Sequence, residues 1–341
     1  MRWATWLGLL PAWTVPVWGA GDFLGSKACT KCHAEQAQRQ SGTHHARALR
    51  PILTTELPAI LTARPIRERG GAELEYRITR NGVSVTSKLG GRRAEALLEF
   101  AFGAGQQGIT PVGQADGRFI EHRISYYTVP NRPALTMGHP SGVSRDALAA
   151  LGLFQEPPTI QRCFSCHATN VQDGPDLSAM EMGVTCERCH GPGRQHVAAV
   201  RAGRPNDEVR RTILDAGRFP AKAQVQICGE CHRAPEERKL SPVPEVNDPI
   251  SIRFQPVGFL VSRCFLGSKN FSCVTCHDPH ENARRVDDSF YTAKCLQCHE
   301  AKTSPKSSCK RTARQNCLPC HMQRLSPALY LTFTDHRIRV Y

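Results

Sequence analysis

Residues 273–299 read CVTCHDPHENARRVDDSFYTAKCLQCH and contain the pattern Cys-x-x-Cys-His twice, with starts 22 residues apart. A third copy begins 22 residues later, and the chain holds seven copies, numbered motif 1 to motif 7 in chain order. They are Cys29, Cys32 and His33; Cys163, Cys166 and His167; Cys186, Cys189 and His190; Cys228, Cys231 and His232; Cys273, Cys276 and His277; Cys295, Cys298 and His299; and Cys317, Cys320 and His321. The motifs use 14 of the 16 cysteines.

This spacing is the attachment signature of c-type haem. The two thiols add to the two vinyl groups of one porphyrin, and the histidine that follows supplies an imidazole to the iron. A zinc ribbon needs two Cys-x-x-Cys knuckles per metal and no following histidine, and a thioredoxin-like pair would occur once. The sequence therefore predicts seven covalently bound haem c groups.

The composition fits a haem-dense chain. Of 341 residues, 40% are hydrophobic and 7% aromatic, so we expect porphyrin faces to supply much of the apolar interior and the chain not to fold properly without haem. The formal net charge is +14, and seven haems would bring about fourteen negative propionates. The basic excess therefore pairs with propionates, and we expect no nucleic-acid partner.

The first twenty residues are predicted to be a secretory signal peptide. Arg2 is followed by an uncharged stretch over residues 3–21, and small residues near Ala20 offer a cleavage site. An uncleaved anchor is the alternative. Haem attachment and export together predict a periplasmic or otherwise exported protein.

We expect a mainly α fold, with short helices and loops wrapped around the haems. Residues 21–60 form a first haem segment, 61–157 an α/β insert between motifs 1 and 2, and 158–341 a six-haem region that ends in the triplet 273–321. Within the insert, alternation around Asn81 predicts a β-hairpin over residues 74–86, and Arg92–Phe102 (RRAEALLEFAF) is predicted to be an amphipathic helix. Residues 118–128 alternate like a strand.

The sixth ligands of the irons are predicted to come from the seven histidines outside the motifs. They are His44, His45, His122, His139, His196, His280 and His336. His196 and His280 follow a motif too closely to cross its porphyrin, so we expect each to ligate a neighbouring haem. The pattern around His122 suits either an inward ligand or a packed histidine.

Two other sets of residues leave alternatives open. Methionine is the other common axial ligand, and we expect the candidates to be mostly packing residues. These candidates are Met137, Met180, Met182 and Met322. Cys264 and Cys309 lie outside the motifs and are either a disulfide, which we favour, or two free thiols.

Several stretches carry a family resemblance. They are GSKACTKCH (25–33), THHARAL (43–49), CFSCHATN (163–170), GVTCERCHGPG (183–193), CGECH (228–232), CVTCHDPH (273–280), CLPCHM (317–322) and FTDHR (333–337). The chain resembles, from about residue 25 to 339, the multihaem cytochromes c of the group that contains hydroxylamine oxidoreductase and its tetrahaem electron acceptor. The resemblance implies distal ligands at His45, His196, His280 and His336, with His139 a further candidate. The tyrosine cross-link of the true hydroxylamine oxidase has no counterpart here.

Two functions follow as hypotheses. The first is an electron carrier with mostly bis-histidine haems that exchanges electrons with a quinol oxidase or other cytochromes, some of them membrane-associated. The second is an oxidoreductase with one five-coordinate haem that acts on nitrite, hydroxylamine or a similar small nitrogen or sulfur compound. Seven spare histidines favour the carrier over the enzyme. The oligomeric state is not predicted.

Overall fold

The computed structural model describes residues 19–172, 177–234, 245–284, 287–299 and 316–341, so the predicted signal peptide lies almost wholly outside the described part. The helices are α1 Ser26–Cys29, α2 Ala34–Ser41, α3 Leu57–Thr62, α4 Ala147–Leu151, α5 Pro157–His167, α6 Cys186–His190, α7 Arg194–Arg201, α8 Asn206–Arg211, α9 Ala221–His232, α10 Gln255–Leu260, α11 Arg263–Gly267, α12 Asp288–His299 and α13 Leu318–His321. The strands are β1 Leu49–Pro51, β2 Ile66–Arg67, β3 Glu73–Thr79, β4 Gly82–Leu89, β5 Arg92–Phe102, β6 Gly108–Ala115, β7 Arg118–His122, β8 Ile124–Tyr127, β9 Arg132–Leu135, β10 Gly152–Phe154, β11 Ala168–Thr169, β12 Glu181–Met182, β13 Arg324–Ala328 and β14 Leu331–Thr334.

An antiparallel sheet of ten strands dominates the first half of the described chain. Its order is β10-β7-β6-β5-β4-β3-β2, with β1 paired to β5 and β8 paired to both β6 and β9. The helices that carry motifs 2 to 4, 6 and 7 lie after the sheet in sequence. The expectation of a mainly α fold with a small β insert is therefore wrong.

The error centres on β5. Arg92–Phe102 is rich in Ala, Leu and Glu, which favour helix, yet it forms a central strand between β4 and β6. Ala96 and Leu98 are buried in the core, whereas Glu95, next to Ala96, is exposed. Pairing with β4 along its first part and with β6 and β1 along its last part supplies backbone hydrogen bonds that override the local helix propensity.

The hairpin prediction is confirmed. β3 and β4 pair from Glu73↔Lys88 to Thr79↔Gly82, so the turn falls at Arg80 and Asn81. The extended stretch predicted over residues 118–128 is also confirmed, as β7 and β8. Apolar and polar residues alternate along much of both segments, which is the pattern typical of a half-buried strand.

The two faces of the sheet bury different clusters. On one face Leu74, Val83, Leu98 and Ile120 pack with residues of α3 and α4 into a core built from side chains alone. The other face carries Phe100, Phe102 and Phe119, and α5 packs there.

This second cluster positions motif 2. Phe164, the residue after the first cysteine of the motif, is 1% exposed. Its ring lies 5.1 Å from that of Phe100, 5.2 Å from Phe102 and 5.9 Å from Phe119, centroid to centroid. The sheet therefore serves as the platform on which motif 2 is fixed.

Within the described ranges, no helix combines the length and the apolar character needed to cross a bilayer.

Candidate haem sites

Most motifs sit at the end of a helix. α1 ends at Cys29, and α5, α6, α9, α12 and α13 each end at the histidine of their motif. Motif 5 instead forms a 3-10 turn, Cys273–Thr275. One helical turn brings the two thiols of a motif to the same side and leaves the histidine just beyond them. Residues 300–315, between motifs 6 and 7, lie outside the described part of the chain.

Four motif histidines face a histidine from another part of the chain. The ring centroids are 6.4 Å apart for His33–His196, 6.1 Å for His45–His232, 6.2 Å for His190–His280 and 6.2 Å for His277–His336. The corresponding interplanar angles are 26°, 78°, 4° and 37°. Motifs 1, 4, 3 and 5 are thus matched with His196, His45, His280 and His336.

This spacing fits a pair of axial ligands. Two imidazoles on opposite faces of one metal, each with a metal–nitrogen bond of about 2 Å and a nitrogen about 1.2 Å from its ring centre, have centroids roughly 6 Å apart. Direct stacking would bring the rings closer. The donor set, two thiols and two facing imidazoles at each of four sites, therefore fits haem c with two histidine ligands.

Hydrogen bonds orient the imidazoles. Nδ1 of His190 lies 2.9 Å from the Leu214 carbonyl oxygen, and Nδ1 of His336 lies 2.9 Å from that of Thr334. Donation of the Nδ1 proton to a carbonyl fixes the tautomer and leaves the Nε2 lone pair for a metal. The equivalent Nδ1 contacts elsewhere are His196 with Val209 O at 3.2 Å, His232 with Gln255 Oε1 at 3.1 Å and His277 with Tyr291 Oη at 3.4 Å.

Burial favours the neutral form of three of these histidines, His232, His277 and His336. It lowers the pKa of His336 to about 4 and also lowers the pKa values of His232 and His277. A neutral imidazole is the form that binds a metal, because protonation removes the lone pair.

Motif 2 differs from these four. Nδ1 of His167 lies 3.0 Å from the Ala48 carbonyl oxygen, and its ring contacts Phe102 at 5.1 Å. In the described ranges, no second histidine faces His167 at the spacing seen in the other pairs. The centroids of the Phe102 and His167 rings are closer than those of two rings on opposite faces of one metal. Phe102 therefore packs directly beside the imidazole.

His122 belongs to the core of the sheet. It is fully buried, with Nδ1 2.6 Å from the Leu151 carbonyl oxygen and Nε2 2.9 Å from the Tyr76 hydroxyl oxygen. Both ring nitrogens are engaged, so neither is free for iron. Of the two possibilities that the sequence left open, the structure has the packed histidine.

His139 and His44 occupy other surroundings. Nε2 of His139 lies 3.3 Å from Glu121 Oε2, while its buried Nδ1 has no hydrogen-bond partner among the described residues. The backbone N–H of His44 donates to Asn282 Oδ1 at 2.7 Å, next to the paired His45. Among the described residues, the His139 imidazole does not stand opposite a motif histidine at the spacing of the four pairs.

Two methionine candidates and one extra cysteine lie near attachment cysteines. Met180 and Met182 pack against the cluster around Phe164, which includes Cys163, as the sequence predicted for packing residues. Cys264 lies near Cys276 and Cys298 and forms no disulfide with a described cysteine. Its predicted partner Cys309 lies outside the described residues, so the disulfide stays a prediction.

Attachment cysteines of different motifs lie close together. The Cys29 and Cys186 thiols shift each other's pKa, so motifs 1 and 3 are neighbours. In the haem-bearing protein each sulfur is a thioether, so such proximities report how close the attachment points lie. The other neighbouring cysteines are Cys166 with Cys231 (motifs 2 and 4), Cys228 with Cys273 (motifs 4 and 5) and Cys295 with Cys317 (motifs 6 and 7).

Two further proximities complete the series. Burial raises the pKa of Cys189, and the nearby thiol of Cys228 adds to the effect, so motifs 3 and 4 are neighbours. Burial likewise raises the pKa of Cys276, with a contribution from Cys298 that places motif 6 beside motif 5. Motif 3 therefore lies near motifs 1 and 4, motif 5 lies near motifs 4 and 6, and motif 2 lies near motif 4.

Two comparisons show known proteins to which the chain is similar. Residues 144–191, which hold motifs 2 and 3, match the family model described as cytochrome c554 and c-prime. A solved structure, that of the outer cell wall cytochrome OcwA, is similar with a TM-score of 0.53 and 14% identity, over 93% of this chain and 80% of that one. None of the curated proteins compared with the sequence matches it.

The family match supports a c-type cytochrome, and the similarity to OcwA shows a shared fold. A cytochrome c family implies covalently bound haem c, in agreement with the motifs. The resemblance to the hydroxylamine oxidoreductase group in particular is not specifically confirmed by either comparison.

Sequence reasoning named the candidate histidines but missed their supports. Gln255 and Tyr291, which contact motif histidines, stand in no motif, and the carbonyl of Leu214 carries no side-chain signal. Only the fold brings these groups to the imidazoles.

Proposed function

We propose that the chain is an exported heptahaem cytochrome c that transfers electrons. The observation that carries the proposal is the set of four histidine pairs with centroids 6.1–6.4 Å apart. Two imidazoles per iron leave no position for a substrate, which suits a carrier rather than a catalyst. Bound haem supplies the one-electron ferric/ferrous couple.

The pairs link separate parts of the chain. His196 follows motif 3 but faces motif 1, and His280 follows motif 5 but faces motif 3. His196 and His280 follow their own motifs closely, which predicted that each ligates a neighbouring haem, and these pairs support that prediction. Because each pair joins residues far apart in the chain, the four pairs tie motifs 1, 3, 4 and 5 to distant segments.

Export is part of the proposal. The structural neighbour is, by its title, an outer cell wall cytochrome, and the sequence opens with a predicted signal peptide. We infer that the partners are other redox proteins, such as a quinol oxidase or cytochromes, outside the cytoplasm.

Two measurements on the purified protein test this function. Intact mass is expected to show seven added haems. Electron paramagnetic resonance (EPR) of the oxidised protein is expected to show low-spin ferric haem from at least the four paired sites. A protein with fewer haems, or one whose haem is mostly high-spin, would contradict the proposal.

A second candidate function rests on motif 2. His167 lacks a facing histidine in the described ranges, so the iron held there would have one open position. Such a site, which lies near motif 4, would bind nitrite, hydroxylamine or a similar small compound.

Its test uses the double variant Cys163→Ala/Cys166→Ala. If site 2 is open, the wild type shows a high-spin signal that changes with nitrite or hydroxylamine. The variant then loses one haem by mass together with that signal. A wild type with low-spin haem alone would exclude this second function.

A further inference from the structure

Motif 3 carries a buried carboxylate between its two cysteines. Glu187 is 3% exposed, and its carboxylate accepts backbone N–H bonds from Leu24 at 3.0 Å, Gly25 at 2.8 Å and Gly193 at 2.6 Å. Leu24 and Gly25 directly precede α1, which ends at the first cysteine of motif 1. One side chain thus holds the leading segment of motif 1 against motif 3.

A second carboxylate acts at the same junction. Glu181 accepts the backbone N–H of Ser26 at 3.2 Å and the hydroxyl of Thr185 at 2.9 Å, together with the Ser26 hydroxyl. We call Glu181 and Glu187 the carboxylate clamp. These donors to the clamp are all neutral groups, backbone N–H groups and hydroxyls.

The clamp also lacks a countercharge. In the described part of the chain, neither carboxylate forms an ion pair with a basic side chain. Glu230 of motif 4 offers the contrast, since it lies 2.8 Å from the guanidinium of Arg188. The negative charge of the clamp is therefore held by hydrogen-bond dipoles and is not neutralised.

The clamp lies beside the attachment points of two haems. The hydrogen bond to Cys186 and burial raise the pKa of the Cys29 thiol, and the charges of Glu187 and Glu181 add to that effect. Because Glu187 follows Cys186 directly and the clamp binds the backbone of Gly25 and Ser26 just before Cys29, the same two charges act on motif 1 and motif 3 together.

We propose that the carboxylate clamp lowers the reduction potentials of the haems at motifs 1 and 3 relative to the same sites without it. Ferric haem carries one more positive charge than ferrous haem, so a nearby anion stabilises the oxidised state. Burial keeps water and salt from screening that attraction. The inference rests on the proposed function, because it requires haem at both motifs.

The sign of the effect separates charge from structure. Loss of the clamp charge raises the potentials of these two haems. Loosening of the junction would expose haem edges to solvent, which stabilises the ferric state and lowers the potentials. A merely structural role therefore predicts a shift in the opposite direction.

The test is a redox titration of the holoprotein with Glu187→Gln, followed by EPR at low temperature. The near-parallel ring pairs at motifs 3 and 1 (4° and 26°) give rhombic low-spin signals, and the near-perpendicular pair at motif 4 (78°) gives a signal with a large principal g value. We expect the midpoint of the rhombic signals to rise, with a smaller change in the large-g signal.

The matched control is Glu35→Gln. Glu35 lies two residues after His33 and is exposed, so water screens its charge and its removal is expected to change the midpoint much less. If Glu187→Gln does not fold, Glu181→Gln is measured instead, and we expect the same rise in midpoint potential.

Two outcomes would overturn the inference: no shift, or a shift to lower potential, in variants that keep seven haems by mass. Failure of the proposed function would appear instead in the wild type, as missing haems or absent low-spin signals.

Discussion

The angle between facing imidazoles differs from site to site. It is 4° for His190–His280 and 78° for His45–His232. When the two ring planes are perpendicular, each ligand interacts with a different iron d orbital, and the two orbitals stay close in energy. The resulting low-spin signal has a large principal g value, so motif 4 has a spectroscopic signature that near-parallel pairs do not share.

We expect His45→Ala to abolish the large-g signal of motif 4 and to produce a high-spin haem, because one axial ligand is lost. The neighbouring substitution His44→Ala serves as the control and is expected to leave that signal in place. EPR of both oxidised variants makes the measurement. Persistence of the large-g signal in His45→Ala would show that His45 is not the ligand.

His122 makes the stability of the sheet depend on pH. Burial lowers the pKa of His122 to about 4, from an ordinary value of 6.5. Well above pH 6.5 the His122 ring is neutral in both the folded and the unfolded state, so its protonation does not reduce the free energy of unfolding. As the pH falls towards 4, the unfolded chain gains a proton that the folded chain does not, which costs about 3 kcal/mol in total.

The variant His122→Gln tests this dependence, because glutamine does not titrate. Denaturant unfolding between pH 7 and pH 4 is expected to show a smaller loss of unfolding free energy in the variant than in the wild type. Equal losses in both proteins would assign the pH dependence to other groups.

At the scale of the element, α5 and the sheet form one unit. Phe164 lies between the two cysteines of motif 2, yet it packs against three phenylalanines of the sheet. The same position in motif 5 is held by Val274, which is 45% exposed. Identical motifs are therefore anchored in different ways, and the anchor depends on what the surrounding chain supplies.

Phe164→Ala is expected to lower the free energy of unfolding by about 3–5 kcal/mol, because it removes a fully buried ring from a packed cluster. Val274→Ala is the matched control and is expected to change stability by about 0.5 kcal/mol or less. Denaturant unfolding monitored by far-ultraviolet circular dichroism measures both. A small effect of Phe164→Ala would mean that α5 is held mainly by its haem.

The elements also show where sequence patterns succeed. Residues 73–89 alternate along much of their length and have a turn at Asn81, and the local pattern was sufficient to predict the hairpin. β5 reads as a helix locally, and only its pairing with β4 and β6 makes it a strand. Short-range signals fixed the first outcome, and long-range hydrogen bonds fixed the second.

At the scale of the whole molecule, the described chain has two kinds of interior. The sheet between Leu49 and Phe154 buries a cluster built from side chains alone. The haem-binding part after Thr185 buries few large apolar side chains, among them Val225, Val257 and Phe259. The expectation that folding needs haem therefore applies to the second part more than to the first.

We expect haem-free protein, made in cells without haem attachment, to keep a protease-resistant fragment near residues 49–154. The remainder is expected to be cleaved rapidly, because it lacks the porphyrin faces that complete its interior. Limited proteolysis with mass spectrometry identifies the fragment, and the haem-loaded protein is the control. Uniform cleavage of the sheet would show that it too depends on haem.

The sequence by itself determined the chemistry of this protein. Cys-x-x-Cys-His is a local pattern, because attachment of one porphyrin needs two thiols and an imidazole within five residues. The tertiary structure decided which histidines face each other, since His33 meets His196 and His232 meets His45 across long stretches of chain. It also decided that β5 is a strand and that Glu187 is buried beside Cys29, because both depend on contacts between residues far apart in sequence.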